Sequence, residues 1–240
     1  MVEYIDIHSH ILPGLDDGAA DIEQTELMMK AAYSQGVRII CATPHFRPAM
    51  FPVSLSRRQE AFELAKDIAK DVSPDLEIIL GNELYYSEDC IKYLKDGSCR
   101  CMGNTRYVLV EFNPVTDFET MRKRLMRLIS EGFIPLIAHI ERYACVRENI
   151  SRVEELIETG GYIQVNSDSI IGDSFMVRRF VRKLLKYGMV HFVASDSHNN
   201  SDRAFGFTEA VSYIEKKCGR KYVNELMYLN PIRMLADEYI

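Results

Sequence analysis

The chain has six histidines, and most of them stand at or just beyond the end of a strand-forming run. His8 and His10 close Tyr4-Ile5-Asp6-Ile7, two positions apart, so on an extended backbone both rings face one side. Two imidazoles on one face are half of a metal site. The other half recurs at the same kind of place. His45 follows Val37-Arg38-Ile39-Ile40-Cys41-Ala42-Thr43, and Glu83 follows Leu76 to Leu80. Glu111 follows Tyr107 to Val110, His139 follows Ile134 to Ala138, and Asp196 and His198 follow Val190 to Ala194. Asp16 and Asp17 lie in the first loop on the same side. Imidazole and carboxylate without thiolate suit hard-to-borderline divalent ions such as manganese, iron, cobalt or zinc. The set is too large for one tetrahedral ion, and two or three ions bridged by carboxylates fit the count. A lone strand-end histidine is usually a hydrogen-bonded structural residue and a lone aspartate a turn or cap. Convergence of so many on one rim argues against that reading for the group.

Something must bring them to one rim. Seven short apolar strands alternate with helical patterns. The helices are expected at about Asp21 to Gln35, Ser56 to Asp71 (capped by Ser54 or Ser56), Phe118 to Glu131, Ser151 to Glu158, Phe175 to Tyr187, Arg203 to Lys217 and Arg220 to Tyr228. Asn230-Pro231 is expected to break the tail. Nearly continuous apolar strands are buried on both faces, which implies a parallel sheet. With no linker and no repeat, the reading is α/β, a single domain over 1–240, built as a closed or nearly closed parallel barrel. In such folds the site lies at the carboxyl ends of the strands, where these residues stand. His191 falls inside a strand and is assigned to packing.

Composition narrows the function classes. The net charge of −6 makes a nucleic-acid backbone an unfavourable partner. No apolar run approaches the roughly 20 residues of a membrane span, and Met1-Val2-Glu3 leads into a strand rather than a signal peptide. A cytoplasmic enzyme without membrane insertion is the expectation. The six cysteines match no zinc framework and are expected to be reduced thiols, Cys99-Arg100-Cys101 included.

Asp6-Ile7-His8-Ser9-His10, Thr43-Pro44-His45, Gly81-Asn82-Glu83, Ala138-His139-Ile140-Glu141-Arg142 and Ala194-Ser195-Asp196-Ser197-His198 together resemble the polymerase-and-histidinol-phosphatase (PHP) superfamily. Leu15-Asp16-Asp17-Gly18, Leu109-Val110-Glu111-Phe112 and His139-Ile140-Glu141-Arg142-Tyr143 are more closely similar to its bacterial metal-dependent protein-tyrosine phosphatases of capsular and exopolysaccharide operons. The resemblance covers essentially the whole chain. It implies a distorted seven-stranded (β/α) barrel of the PHP type, and manganese as the metal. It also implies that His8, His10, Glu83 and Asp196 hold one ion. Glu83 would bridge to a second held by Glu111 and His139. His45, His198 and an aspartate of the Asp16-Asp17 pair would hold a third; Asp17 matches the family's Asp-Asp-Gly, with Asp16 as the alternative. Arg142 and Arg203 match its phosphate-binding arginines. The implied substrate is the phosphorylated tyrosine-rich tail of a bacterial tyrosine kinase that controls capsule synthesis.

The chemistry is consistent with that implication. Cations on a phosphomonoester neutralise its charge, and coordination lowers the pKa of water from 15.7 to about 7. Arg142 and Arg203 suit bidentate binding of phosphate oxygens, although a salt bridge from Arg142 to Glu141 is the alternative. A tyrosine phenol has a pKa of about 10, so it departs with less protonic help than an alkyl alcohol. His45 or His198 is a candidate to assist. Three rivals remain. A small-molecule phosphomonoesterase, histidinol-phosphatase-like, would keep the ligands. A thiol phosphatase would use Cys41 to Arg47, but Pro44 removes an N–H from the loop and Cys41 falls in a buried strand. A binding module would dock an acidic partner on Arg178-Arg179-Phe180-Val181-Arg182-Lys183, where a solvated helix face is the plainer explanation. Phe46 to Phe51 could form an apolar lip for an aromatic substrate.

Overall fold

Residues 3–240 are described by a computed structural model; Met1 and Val2, used in reading the N-terminus, lie outside them. In chain order the first half is β1 (Tyr4–Ser9), α1 (Ile22–Ser34), β2 (Val37–Ala42), β3 (His45–Phe46), α2 (Leu55–Val72), β4 (Glu77–Leu80), β5 (Glu83–Tyr85), α3 (Cys90–Lys95), β6 (Tyr107–Glu111) and α4 (Phe118–Ser130). Then come β7 (Ile134–Ile137), a 3₁₀ turn (Ile140–Arg142), α5 (Ala144–Arg147), α6 (Ser151–Glu158), β8 (Tyr162–Asn166), α7 (Ser167–Ile171), α8 (Phe175–Lys186) and β9 (Phe192–Ala194). The chain finishes with α9 (Phe207–Cys218), α10 (Arg220–Asn224), a π-helical turn (Glu225–Leu229) and α11 (Asn230–Leu235). Three helices start where a short acceptor side chain takes an otherwise unpaired N–H. Asp21 accepts from Gln24, Ser54 from Arg57 and Asp117 from Thr120.

Every strand pairing is parallel. The strands form a three-stranded sheet, β1-β2-β4, and a curled six-stranded sheet, β3-β5-β6-β7-β8-β9. The expected count of seven is therefore not what the hydrogen bonding gives. Beyond two expected strand ends, at Thr43-Pro44 and at Gly81-Asn82, the chain forms short further strands, β3 and β5. The expected strands pair in one sheet and these additional strands in the other. Pro44 has no N–H to give to a ladder, so pairing lapses there. Backbone bonds from Gly81 to Ala42 (2.9 Å) and from Glu83 to Pro44 (3.3 Å) carry one sheet into the next. The carboxyl end of β9 returns to β1, since Asp196 N–H donates to His8 C=O at 2.8 Å and His10 N–H to Ser197 C=O at 2.9 Å.

The core has two parts. One fills the space between sheet and helices, with Met28, Ile68, Leu125, Leu156 and Leu184 among its members. The other lies inside the curl and contains Ile5, Ile7, Cys41, Leu109, Leu136 and Phe192. The chain's tail closes the inner cluster at the end where the strands begin. Met234 packs into it, Tyr107 OH donates to Glu238 C=O at 2.6 Å, and Tyr162 OH to Ile240 C=O at 3.2 Å. At the other end lie the histidines.

Three expectations need correction. Asn230-Pro231 does not break the tail: Pro231 lies in a continuous helical run of α10, the π-helical turn and α11, and the π-helical turn just before it accommodates the missing N–H. Helix α9 begins at Phe207, not Arg203, so Arg203 sits in the loop that returns to the rim. His191 precedes β9 instead of lying within it, and its Nδ1 accepts from Ile163 N–H at 3.0 Å. No helix among the described residues is long and apolar enough to cross a membrane.

Candidate metal centre

The curl gathers the sequence's candidate ligands onto one buried rim. His8, His10, Glu83, His139, Asp196 and His198 are almost fully buried, while His45, Glu111 and Asp17 are more open. Ile5 and Ile7 face the inner cluster, so strict alternation would send His8 and His10 away from it. The β1–β2 register slips between Asp6 and Ser9, and such an irregularity re-aims the side chains that follow. His139 and Asp196 take positive φ, 31° and 51°. Non-glycine residues in that region cost on the order of 1–3 kcal/mol each and persist where the surroundings over-determine them. Here the backbone N–H of His139 is held by Gln164 Oε1 at 2.7 Å and that of Asp196 by His8 C=O.

Four donor atoms converge most tightly. His8 Nε2 and His10 Nε2 are 3.2 Å apart, and each lies 3.2–3.4 Å from Glu83 Oε2 and Asp196 Oδ1. Four ligands at about 2.0–2.1 Å from a tetrahedral ion would be separated by about 3.3–3.4 Å. Glu83 Oε1 also lies 2.7 Å from His139 Nε2, with Glu111 Oε1 a further 3.8 Å from that nitrogen. Asp17 Oδ1 lies 3.3 Å from His45 Nε2 and 3.5 Å from His198 Nε2. Four buried atoms of these residues, His45 Nδ1, Glu83 Oε2, His139 Nδ1 and His198 Nε2, have no hydrogen-bond partner, although His45 Nδ1 stands 3.0 Å from Glu83 Oε2. Leaving such an atom unpaired costs about 1–3 kcal/mol; a cation among His8, His10, Glu83 and Asp196 would take Glu83 Oε2, and one among His10, Asp17, His45 and His198 would take His198 Nε2. The residues present therefore fit divalent ions.

The aspartate pair divides its work. Asp16 is turned inward, with Oδ2 2.8 Å from His10 Nδ1 and accepting from His45 N–H at 2.8 Å. Asp17 faces the imidazoles. The loop bends so closely over His10 that a Cβ on Gly18 would stand 2.2 Å from His10 O, so only glycine fits.

Electrostatics follows from the crowding. Burial pushes the Glu83 carboxyl up, but His8 and His45, with contacts to His10 and His139, outweigh it and hold it well below the usual range. Asp196 is likewise held low against its own burial by His8 and Arg142. Glu111, buried and repelled by Glu83, is pushed up to about 7. His139 is driven down to about 4 by burial, reinforced by Arg142.

Two arginines cap the rim. Arg142 Nη2 donates to Asp196 Oδ2, and Arg203 Nη2 lies 3.3 Å from the same oxygen while its Nη1 lies 3.3 Å from Asp17 Oδ2. The alternative pairing of Arg142 with Glu141 is not made: Glu141 is buried and Oε1 accepts from Asn166 N–H at 2.8 Å. Phe51 reaches the mouth, its ring parallel to His45 at 5.5 Å. Cys41 lies in the inner core, where burial above all pushes its thiol up, and Arg47 stacks on Tyr85 at 4.0 Å instead of approaching it. The thiol-phosphatase reading has no geometry behind it.

Sequence reasoning missed the supporting residues Gln164 and Asn166. Gln164 Oε1 lies 3.3 Å from His8 Nδ1, its amide donates to Asn166 Oδ1 at 2.8 Å, and Asn166 donates to Asp196 Oδ2 at 2.9 Å. The signal was available. Two amides two apart share one face of an otherwise apolar strand, and a buried amide needs partners.

Over residues 4–236 the chain matches the family described as "Capsular polysaccharide synthesis, CpsB/CapC". It is 37% identical over 242 residues to the tyrosine-protein phosphatase CpsB of Streptococcus pneumoniae, covering 98% of this chain and 100% of that one. With the tyrosine-protein phosphatase YwqE of Bacillus subtilis it shares 36% identity over 230 residues, 94% of this chain and 87% of the other. A solved structure, described among "YwqE from Bacillus subtilis and CpsB from Streptococcus pneumoniae, unique metal-dependent tyrosine phosphatases", aligns with a TM-score of 0.89 at 32% identity. That alignment covers 98% of this chain and 96% of the other.

Proposed function

The chain belongs to the CpsB/CapC family of capsular polysaccharide synthesis proteins, and from that premise we propose that it is a metal-dependent protein-tyrosine phosphatase. The observation that carries the reading is the tight convergence of His8, His10, Glu83 and Asp196 directly beneath Arg142 and Arg203. In this reading the chain is one domain over 1–240, and its two parallel sheets, joined where the end of β9 returns to β1, make a distorted (β/α) barrel of the PHP type.

His8, His10, Glu83 and Asp196 would hold one divalent ion, with Glu83 bridging to a second held by Glu111 and His139. His45, His198 and Asp17 would hold a third, and manganese is the proposed metal. When bound, such ions supply neutralising charge to the phosphoryl oxygens and a water whose pKa falls to about 7. The protein's own groups do the rest. Arg142 and Arg203 exchange their carboxylate contacts for phosphate oxygens, and their forked donors fix the phosphoryl group in one orientation. Asp16 holds the His10 ring through Nδ1, and Gln164 does the same for His8, so Nε2 of each is presented to the centre. Phe51, parallel to His45, offers an apolar face to the substrate ring. In the alternative where it does not hold the third ion, His45 would pass a proton to the departing phenolate oxygen.

The proposed substrate is the phosphorylated tyrosine-rich tail of a bacterial tyrosine kinase, met in the cytoplasm. A phosphotyrosine peptide, a phosphoserine peptide and histidinol phosphate are compared after chelation and after manganese is restored. Manganese-dependent preference for the tyrosine peptide is expected. Turnover of histidinol phosphate alone would keep the ligands and overturn the substrate.

A further inference from the structure

A groove of about 830 Å³ opens between α8 and α9, away from the candidate metal centre. It lies at the end of the fold where the strands begin: α8 leads directly into β9, and Tyr222, on the groove wall, donates its OH to Val190 C=O at 3.3 Å. Arg179, Arg182, Lys183 and Lys186 of α8 line it, at positions i, i+3, i+4 and i+7 of one helix face, and Lys217 of α9 joins them. No aspartate or glutamate lines it.

A solvated helix face does not account for this arrangement. Some exposed cations elsewhere are paired along their helices, as Lys30 with Glu26, Lys66 with Glu63, Arg122 with Glu119 and Arg152 with Glu148, while others such as Lys123 and Lys221 stand singly rather than in a cluster. None of the five groove cations has a carboxylate oxygen within 4.0 Å among the described residues. The chain contains 35 acidic and 29 basic residues, so a lining of one sign runs against what composition supplies. Like charges at helical spacing also weaken the helix that carries them. A concave surface of one sign focuses potential outward and concentrates counter-charge. Aromatic rings hold the cations in place, with Arg182 4.1 Å over Tyr213 and Lys183 5.9 Å from the Tyr187 ring.

We propose that this groove binds a second phosphotyrosine of the substrate chain, distinct from the one being hydrolysed; the inference rests on the function proposed above. Each phosphotyrosine brings about −1.5 to −2 charge and three acceptor oxygens, which suit a cluster of arginine and lysine donors. Its ring has the exposed Tyr187 to pack against. The reach is modest. Helix α8 has 12 residues and is roughly 18 Å long. An extended peptide covers about 3.3–3.6 Å per residue, so phosphotyrosines roughly ten residues apart reach about twice the length of that helix. Two-point attachment raises the local concentration of the second site without any new contact at the first.

The probes are peptides of equal length carrying one phosphotyrosine, or two about ten residues apart, with p-nitrophenyl phosphate as the small substrate. In the Arg179→Glu/Lys183→Glu/Lys186→Glu variant, KM for the doubly phosphorylated peptide is expected to rise about tenfold or more at low ionic strength. Its kcat, and both constants for the other two substrates, stay unchanged, and the difference fades as salt is added. Equal effects on all three substrates, or none on any, overturn the proposal. A second arm does not need turnover: the fluorescently labelled doubly phosphorylated peptide is titrated into chelator-treated wild type and variant. Binding lost only in the variant supports the groove even if phosphotyrosine hydrolysis fails, whereas hydrolysis with no difference in binding removes the groove and leaves the enzyme. Preferential binding of free ATP or of anionic lipid vesicles over the peptide overturns the assignment of occupant.

Discussion

Asp16 Oδ2 stands 2.8 Å from His10 Nδ1, on the side of the ring opposite the nitrogen that faces Glu83 and Asp196. A carboxylate there fixes the ring's orientation and tautomer and raises its basicity as a ligand. The neighbouring Asp17 points its own Oδ1 at His45 and His198. Adjacent aspartates thus take different places, one behind a histidine and one among the candidate ligands.

The Asp16→Asn variant should therefore bind manganese about 10–100-fold more weakly while regaining most of its kcat at saturating metal. Titration of activity against free manganese reads both quantities. Loss of kcat that no metal concentration restores would place Asp16 among the ligands instead.

Arg142 and Arg203 both hold Asp196 at the mouth, and each has a fork that lysine lacks. Substituting either by lysine should lower kcat/KM for a phosphotyrosine peptide by about 10–100-fold, as expected for charge-assisted bonds of about 1.5–3 kcal/mol. Melting temperature with manganese present should move little, since both side chains are partly exposed. Unchanged kcat/KM in Arg203→Lys would remove that residue from phosphate binding.

Cys41 belongs to the inner core, and its thiol is pushed up by burial. The Cys41→Ala variant should keep its manganese-dependent activity and lose on the order of 1 kcal/mol of stability. Iodoacetamide should leave the native enzyme active. Inactivation that tracks alkylation of Cys41 would contradict this.

His191 lies outside the centre, and burial drives its imidazole down to about 4. Its folded value is below the unfolded one of about 6.5, so the contribution to stability is complete above that pH and is lost as pH falls toward 4. Between pH 7 and 5 this side chain should account for roughly 1–2 kcal/mol of lost stability. Urea unfolding at both pH values should show a shallower decline in His191→Gln, and identical slopes would show that His191 does not carry the effect.

Much of the architecture was legible locally. The helix starts at Asp21 and Ser54 follow from short acceptor side chains ahead of amphipathic runs. The boundaries of α6 (Ser151–Glu158) agree with the sequence reading, because apolar period and turn residues coincide there. Pro231 misled because a π-helical turn directly before it lets the helix run on without its N–H, and that turn is not visible in the local sequence. The short strands β3 and β5 beyond Thr43-Pro44 and Gly81-Asn82 were hidden too, since they depend on which neighbour each finds across the sheet.

The sequence alone determined the candidate ligand types and their placement at the carboxyl ends of parallel strands; the two arginines came from the family resemblance. Ligand type and placement are properties of residue chemistry and of short-range periodicity. Only the tertiary structure decided that Asp16 supports a histidine while Asp17 faces the imidazoles, that Gln164 and Asn166 steady His8 and Asp196, and that five unpaired cations share one groove. Each of those depends on where one side chain sits relative to another many residues away. A difference of an ångström or two, set by strand register and by a left-handed residue such as Asp196, separates a ligand from its support.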